Sequence, residues 1–141
     1  MPAFLVDQLV KKMVATVGLS RSTVVTILGA TFKENVPDVR NSKVADICAE
    51  LAKYGIAVQV VDPLAHQDEV FNELNVQTVS LAEAEENPAD AVILAVPHEH
   101  FLADGGWPLL QRLVKPEQAL VMDFKAQLEP TDAPRHILHW R

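Results

Sequence analysis

Apolar residues recur at helical spacing from Phe4 to Val17, where Val6, Leu9, Val10, Met13 and Val17 form one stripe. Pro2 stands near the start of this helix, where a missing N–H costs nothing. A β-branched run from Val24 to Leu28 follows, with the composition of a buried parallel strand. Asn41-Ser42 and then Val44, Ile47, Cys48 and Leu51 predict a capped amphipathic helix over about Lys43 to Tyr54. Ala57 to Val61, Ala91 to Val96 and Ala119 to Met122 read as further strands. Between them Phe71 to Leu74 predicts a short helix, Ser80-Leu81-Ala82-Glu83 a capping box that opens another, and Trp107 to Val114 a third. The tail from His136 to Trp140 fits an edge strand or a terminal coil. Strands alternating with helices predict an α/β fold, namely a three-layer, doubly wound, mainly parallel sheet with an additional N-terminal helix.

In such a sheet the loops at the carboxyl ends of the strands line the ligand crevice. The loop after the first strand, Phe32-Lys33-Glu34-Asn35-Val36-Pro37-Asp38-Val39-Arg40, is polar, stiffened by proline, and carries two cations where a phosphate could be held. The rest of the chain limits what else it could do. Its 141 residues, 49% hydrophobic, suffice for one domain with a sizeable core. A formal net charge of -7 argues against general nucleic-acid binding, so an anion site must be local. A single cysteine cannot form an internal disulfide, and neither a signal-peptide pattern nor an apolar run of membrane-spanning length is present, which makes a cytoplasmic protein the expectation.

Phe32-Lys33-Glu34-Asn35 followed by Asp38-x-Arg40, Tyr54-Gly55-Ile56 and Val61-Asp62-Pro63 resembles the carboxyl-terminal nucleotide-binding domain of the UDP-glucose/GDP-mannose dehydrogenase family. The likeness is strongest to the branch that oxidises UDP-N-acetylhexosamines for surface polysaccharides, and it runs from about Pro2 to the end. The resemblance implies a Rossmann-like domain that binds the UDP part of a nucleotide sugar. It also implies an enzyme that uses NAD to oxidise the sugar C6 alcohol to a carboxylate, with the catalytic cysteine in an upstream portion. In the family a long helix joins two domains at a dimer interface. Residues 1–20 are then expected as the distal part of that helix, residues 21–141 as the UDP-binding unit, the chain as an excised domain and the protein as a homodimer. The apolar stripe of the helix, left exposed, is expected to support self-association. Read from the residues alone, the helix could equally cover one face of the sheet.

The glycine pattern bears on the cofactor. A dinucleotide fingerprint needs G-x-G-x-x-G, and here Gly29 is followed by Ala30, Thr31 and the bulky Phe32. A phosphate-binding P-loop is likewise absent around Lys33. NAD is therefore expected mainly on another domain. The resemblance carries substrate contact onto Phe32 and Lys33, and contact with NAD held elsewhere onto Arg40; read as ordinary residues, Lys33 is a solvated loop lysine and Arg40 an ion-pair partner of Asp38 or Asp46. Asp123-Phe124-Lys125 resembles the family's Asp-x-basic segment, from which a basic residue extends to the substrate. The resemblance therefore carries substrate contact onto Lys125, which stands where other members have arginine, so a point charge replaces a bidentate fork; read as an ordinary residue it is a surface lysine.

Other chemistry-bearing residues read differently. Cys48 shares a helical face with Val44, Ile47 and Leu51, and no basic residue is placed to lower its pKa, so it is expected in the core. His98 and His100 could chelate a metal, but no third ligand has suitable spacing. His98, following Pro97 at a strand end, could face the crevice instead. Asp62-Pro63 suggests a turn, and Glu83, Glu85 and Glu86 a solvated helix favoured by the macrodipole. The rival to a nucleotide-sugar domain is a non-catalytic α/β interaction module.

Overall fold

The computed structural model describes residues 2–40 and 42–140. Helix α1 (Pro2–Ala15) precedes strand β1 (Val24–Leu28), and α2 (Val44–Ala52) leads to β2 (Ala57–Val61). Two short helices, α3 (Gln67–Leu74) and α4 (Leu81–Glu86), precede β3 (Ala91–Leu94). Helix α5 (Trp107–Leu113), β4 (Ala119–Asp123) and β5 (Ile137–Trp140) complete the chain. The five strands lie in the order β2-β1-β3-β4-β5, and every pair is parallel. The expected three-layer doubly wound architecture is thus realised with a wholly parallel sheet. The tail forms its edge strand, with Ile137 opposite Ala119.

Both sheet faces are covered, which explains why the inner strands are apolar at successive positions. Val25 and Ile27 face one core with Ile93, Leu120 and Met122, beneath α1, α2 and α3. Val24 and Leu28 face the other with Val92, Leu94 and Val121, beneath α4 and α5. The alternation is the two-residue period of a strand, read by a different helix layer on each side.

The first helix departs from expectation in what its stripe does. Val6, Leu9 and Met13 are fully buried and Val10 nearly so, within the first core and beside α2. The stripe is spent inside the domain, so the expected exposed self-associating stripe is not present. Burying four aliphatic and thioether side chains against a sheet is worth about 1.5–3 kcal/mol each, more than an open solvent-facing stripe could offer. The outward face instead carries Phe4 and Val14, which are 65% and 61% exposed.

Local signals were realised unevenly. The capping box is complete: Glu83 N–H donates to Ser80 Oγ, and Ser80 N–H donates to Glu83 Oε1, both at 3.1 Å. The cap predicted before α2 takes another form. Lys43 occupies the N-cap position without a side-chain bond, Ser42 Oγ accepts from Val44 N–H at 3.3 Å, and Asn41 lies outside the described residues. Helix α3 begins earlier than the apolar pattern suggested and closes on Asn75 in the left-handed region.

Candidate functional site

In the order β2-β1-β3-β4-β5 the direction of winding reverses between β1 and β3, and a crevice opens outside their carboxyl ends. Gly29 makes this reversal possible. It has φ of 99°, and a Cβ there would stand 2.5 Å from Val96 Cβ and 2.9 Å from Val96 N. Only a glycine lets the chain leaving β1 pass so close to the chain leaving β3.

A cleft of about 290 Å³ lies at this edge. Its lining includes Thr31 and Phe32 after β1, Ala95 and Val96 after β3, Phe124 and Lys125 after β4, and Ser42 and Lys43 at the start of α2. The floor is apolar and the rim carries two ammonium groups. Such a surface suits a molecule with a flat apolar part and an anionic part.

Two of the predicted substrate residues, Phe32 and Lys125, meet in this cleft although 93 positions separate them (125 minus 32). Phe32 is 54% exposed, and its N–H donates to the carbonyl of Asp38 at 2.7 Å, closing the loop on itself. Lys125 Nζ donates to Glu34 Oε2 at 2.8 Å, joining the loop after β4 to the loop after β1. That contact holds the Glu34 carboxyl below its usual range, chiefly through the hydrogen bond from Lys125. Lys33 is exposed beside Phe32 but outside the cleft lining, and among the described residues its ammonium has no ion-pair partner. Arg40 lies at the far end of the loop. Its guanidinium donates to both oxygens of Asp38 at 3.0 Å, and this side-chain bond, with one from the Arg40 backbone N–H, lowers the Asp38 carboxyl to about 2.

The supports of the cleft are buried polar residues at the strand ends. Asp62, just past β2, accepts from Ala30 N–H at 2.7 Å and His98 at 2.9 Å with Oδ2, and from Leu64 and Ala65 N–H at 2.9 and 3.1 Å with Oδ1. Burial pushes its carboxyl up, but the hydrogen bonds from His98, Ala30 and Leu64 outweigh that and leave it below the usual range. The turn expected at Asp62-Pro63 is therefore one part of a larger junction. Asp123, the last residue of β4, accepts from Gln127 and Leu128 N–H at 3.0 and 2.8 Å, folding the loop that presents Lys125.

His98 does not face the crevice. It is 0% exposed: Asn35 N–H donates to Nδ1 at 2.9 Å, while Nε2 lies 2.9 Å from Asp62 Oδ2 and 3.2 Å from Thr31 Oγ1. Both ring nitrogens are engaged by protein groups, so no lone pair is aimed at a metal with His100. Cys48 packs at the margin of the first core, where burial pushes its thiol up to about 11.

Sequence reasoning missed Lys43, the Glu34–Lys125 bridge and the His98–Asp62 pair. An acid before proline at a strand end signals a capped turn, but no local signal joins it to a histidine 36 positions away. The β1 loop also bears on NAD. Its residues do not fit a dinucleotide cradle, because Thr31 and Glu34 stand where the second and third glycines counted from Gly29 are needed, and both oxygens of Asp62, the acid at the end of β2, are committed to protein donors.

Together these features define a doubly wound α/β domain with a ligand cleft at its topological switch point. The family described as "UDP-glucose/GDP-mannose dehydrogenase family, UDP binding domain" matches residues 26–130, a span holding both loops that frame the cleft. Over 129 residues the chain is 38% identical to the UDP-N-acetyl-D-glucosamine 6-dehydrogenase of Pseudomonas aeruginosa, covering 92% of this chain and 30% of that protein. It is 40% identical over 95 residues to a protein of the same name from Salmonella typhi, covering 67% of this chain and 22% of that protein. The solved structure of the UDP-N-acetyl-mannosamine dehydrogenase from Staphylococcus aureus shares the fold, with a TM-score of 0.68 at 22% identity over 99% of this chain and 30% of that one. This chain belongs to the UDP-glucose/GDP-mannose dehydrogenase family. It spans at most about 30% of the length of these curated relatives.

Proposed function

We propose that this chain holds the UDP part of a nucleotide sugar in an NAD-dependent UDP-sugar 6-dehydrogenase, with a UDP-N-acetylhexosamine as substrate. One observation carries the reading: the matched UDP-binding region includes both loops of a cleft whose apolar floor is rimmed by Phe32, Lys43 and Lys125. A uracil or ribose face has apolar surface to meet, and a diphosphate has ammonium groups within reach of the rim. Lys125 leaves Glu34 for the diphosphate, and Lys33 swings its exposed ammonium toward it. Bound NAD would supply hydride acceptance for oxidation of the sugar; the poor fit of the β1 loop to a dinucleotide supports the reading that another part of the enzyme holds it. Arg40, exposed at the end of the loop, then faces that part.

The proposed setting is the cytoplasm, and the pathway that of a surface polysaccharide. The homodimer would use the outward face of α1, where Phe4 and Val14 remain exposed, because the opposite stripe is already buried. Among the described residues no helix is long and apolar enough to cross a membrane.

Calorimetric titration with UDP and GDP tests the reading. UDP is expected to bind saturably and more tightly than GDP. Lys33→Ala and Lys125→Ala should each weaken UDP binding by about 1.5–3 kcal/mol, the range of a charge-assisted hydrogen bond. Arg40→Ala should leave it unchanged in this chain. Absence of saturable UDP binding refutes the assignment, and equal losses at Lys33 and Arg40 would mean that the loop acts as one undivided basic patch.

A further inference from the structure

The segment that presents Phe32 to the cleft and carries Lys33 beside it is fastened at both ends to one buried imidazole. At its start, Thr31 Oγ1 donates to the carbonyl of Lys33 at 2.9 Å and lies 3.2 Å from His98 Nε2. At its end, Asn35 N–H donates to His98 Nδ1 at 2.9 Å. An acceptor at Nδ1 leaves the ring proton on Nε2, where it is shared between Asp62 Oδ2 and Thr31 Oγ1. Asn35 has φ of 64°, a region that a non-glycine residue keeps only when its surroundings hold it. The hold is double, since Asn35 Oδ1 also accepts from Glu99 N–H at 2.8 Å. The imidazole is thus completely buried and fully hydrogen-bonded, and it touches the binding loop without touching the cleft.

We infer that His98 is a positioning residue for nucleotide binding, with Nδ1 setting the loop through Asn35 and Nε2 serving the fold through Asp62. The inference rests on the UDP reading of the cleft. Two neutral amides separate the ring's tasks. Asparagine can place a carbonyl oxygen near the Nδ1 position, keeping the acceptor for Asn35 N–H, but is too short to reach Asp62. Glutamine reaches the Nε2 position and can donate to Asp62, but offers Asn35 no acceptor.

The experiment compares UDP affinity by calorimetry, and stability by urea unfolding, for the 141-residue chain, His98→Asn and His98→Gln. His98→Asn is expected to bind UDP within about threefold of the wild type despite lower stability. His98→Gln is expected to bind at least about tenfold more weakly, the effect of losing one buried hydrogen bond that orders the loop. The opposite order, or affinities that fall in step with stability, overturns the inference. A wild-type chain that does not bind UDP overturns the nucleotide reading itself, a result distinguishable from wild-type binding with the wrong order of variants. Should either variant fail to fold, amide exchange in the wild type decides: the Asn35 amide is expected to be protected, and more so at UDP saturation. Exchange at the free-loop rate in both states overturns the inference.

Discussion

Replacing Asp62 by asparagine changes one oxygen to an amide nitrogen and should disable half of the junction at the sheet edge. Each carboxylate oxygen accepts from two donors: Oδ2 from Ala30 N–H and His98, Oδ1 from Leu64 and Ala65 N–H. Whichever way the amide is turned, its NH2 group confronts two donors in a site that is 7% exposed. His98 cannot relieve the conflict by moving its proton to Nδ1, because Asn35 N–H already donates there. Two charge-assisted bonds at about 1.5–3 kcal/mol each are lost, giving an expected destabilisation of about 3–6 kcal/mol at pH 7. A domain of this size has about 5–15 kcal/mol in hand and should stay folded, so urea unfolding can measure the difference. The pH dependence supplies a second check. The folded carboxyl lies below the usual range, so its stabilisation is fully present above the unfolded value of about 3.9 and is lost as pH falls through the folded value. The gap between wild type and Asp62→Asn should therefore narrow on acidification below about pH 4. A loss under about 1 kcal/mol at pH 7, or a gap that widens in acid, would refute the account.

Other perturbations probe the rest of the molecule. Gly29→Ala should destabilise by about 3 kcal/mol or more in urea unfolding, because the new Cβ would stand 2.5 Å from Val96 Cβ on a residue with φ of 99°. Leu9→Ala should cost about 2–5 kcal/mol by creating a core cavity, and should leave the sedimentation behaviour of the folded chain unchanged because the stripe is not an interface. Cys48, with its thiol pushed up to about 11 by burial, should react slowly with a thiol reagent at about pH 8 and much faster in urea; equal rates would show that it is accessible. Arg40→Ala should return the Asp38 carboxyl from about 2 toward its ordinary value in an NMR titration, with stability essentially unchanged because the pair is exposed.

The β-branched and apolar runs at Val24 to Leu28, Ala57 to Val61 and Ala119 to Met122 were sufficient to place three strands within a residue; β1 and β4 are buried along their whole length, whereas β2, at the sheet edge, carries Gln59 and is exposed at Ala57. The motif Phe32-Lys33-Glu34-Asn35 with Asp38-x-Arg40 located the loop on which the cleft is built, since a loop's chemistry is written in consecutive residues. The capping box at Ser80 was legible for the same reason: its partners lie three positions apart. The stripe of α1 was equally visible in the sequence, but periodicity shows only that one face is apolar. Which surface covers it depends on where the helix lies, and here that is α2 and the sheet. The cleft itself required the strand order. Lys125 meets Glu34, and His98 meets Asp62 and Asn35, only because the parallel order β2-β1-β3-β4 brings four strand ends to one edge. Long-range polar pairing leaves no periodic trace in a chain, so tertiary structure alone brought Lys43 to the cleft beside Lys125 and decided which histidine holds its loop.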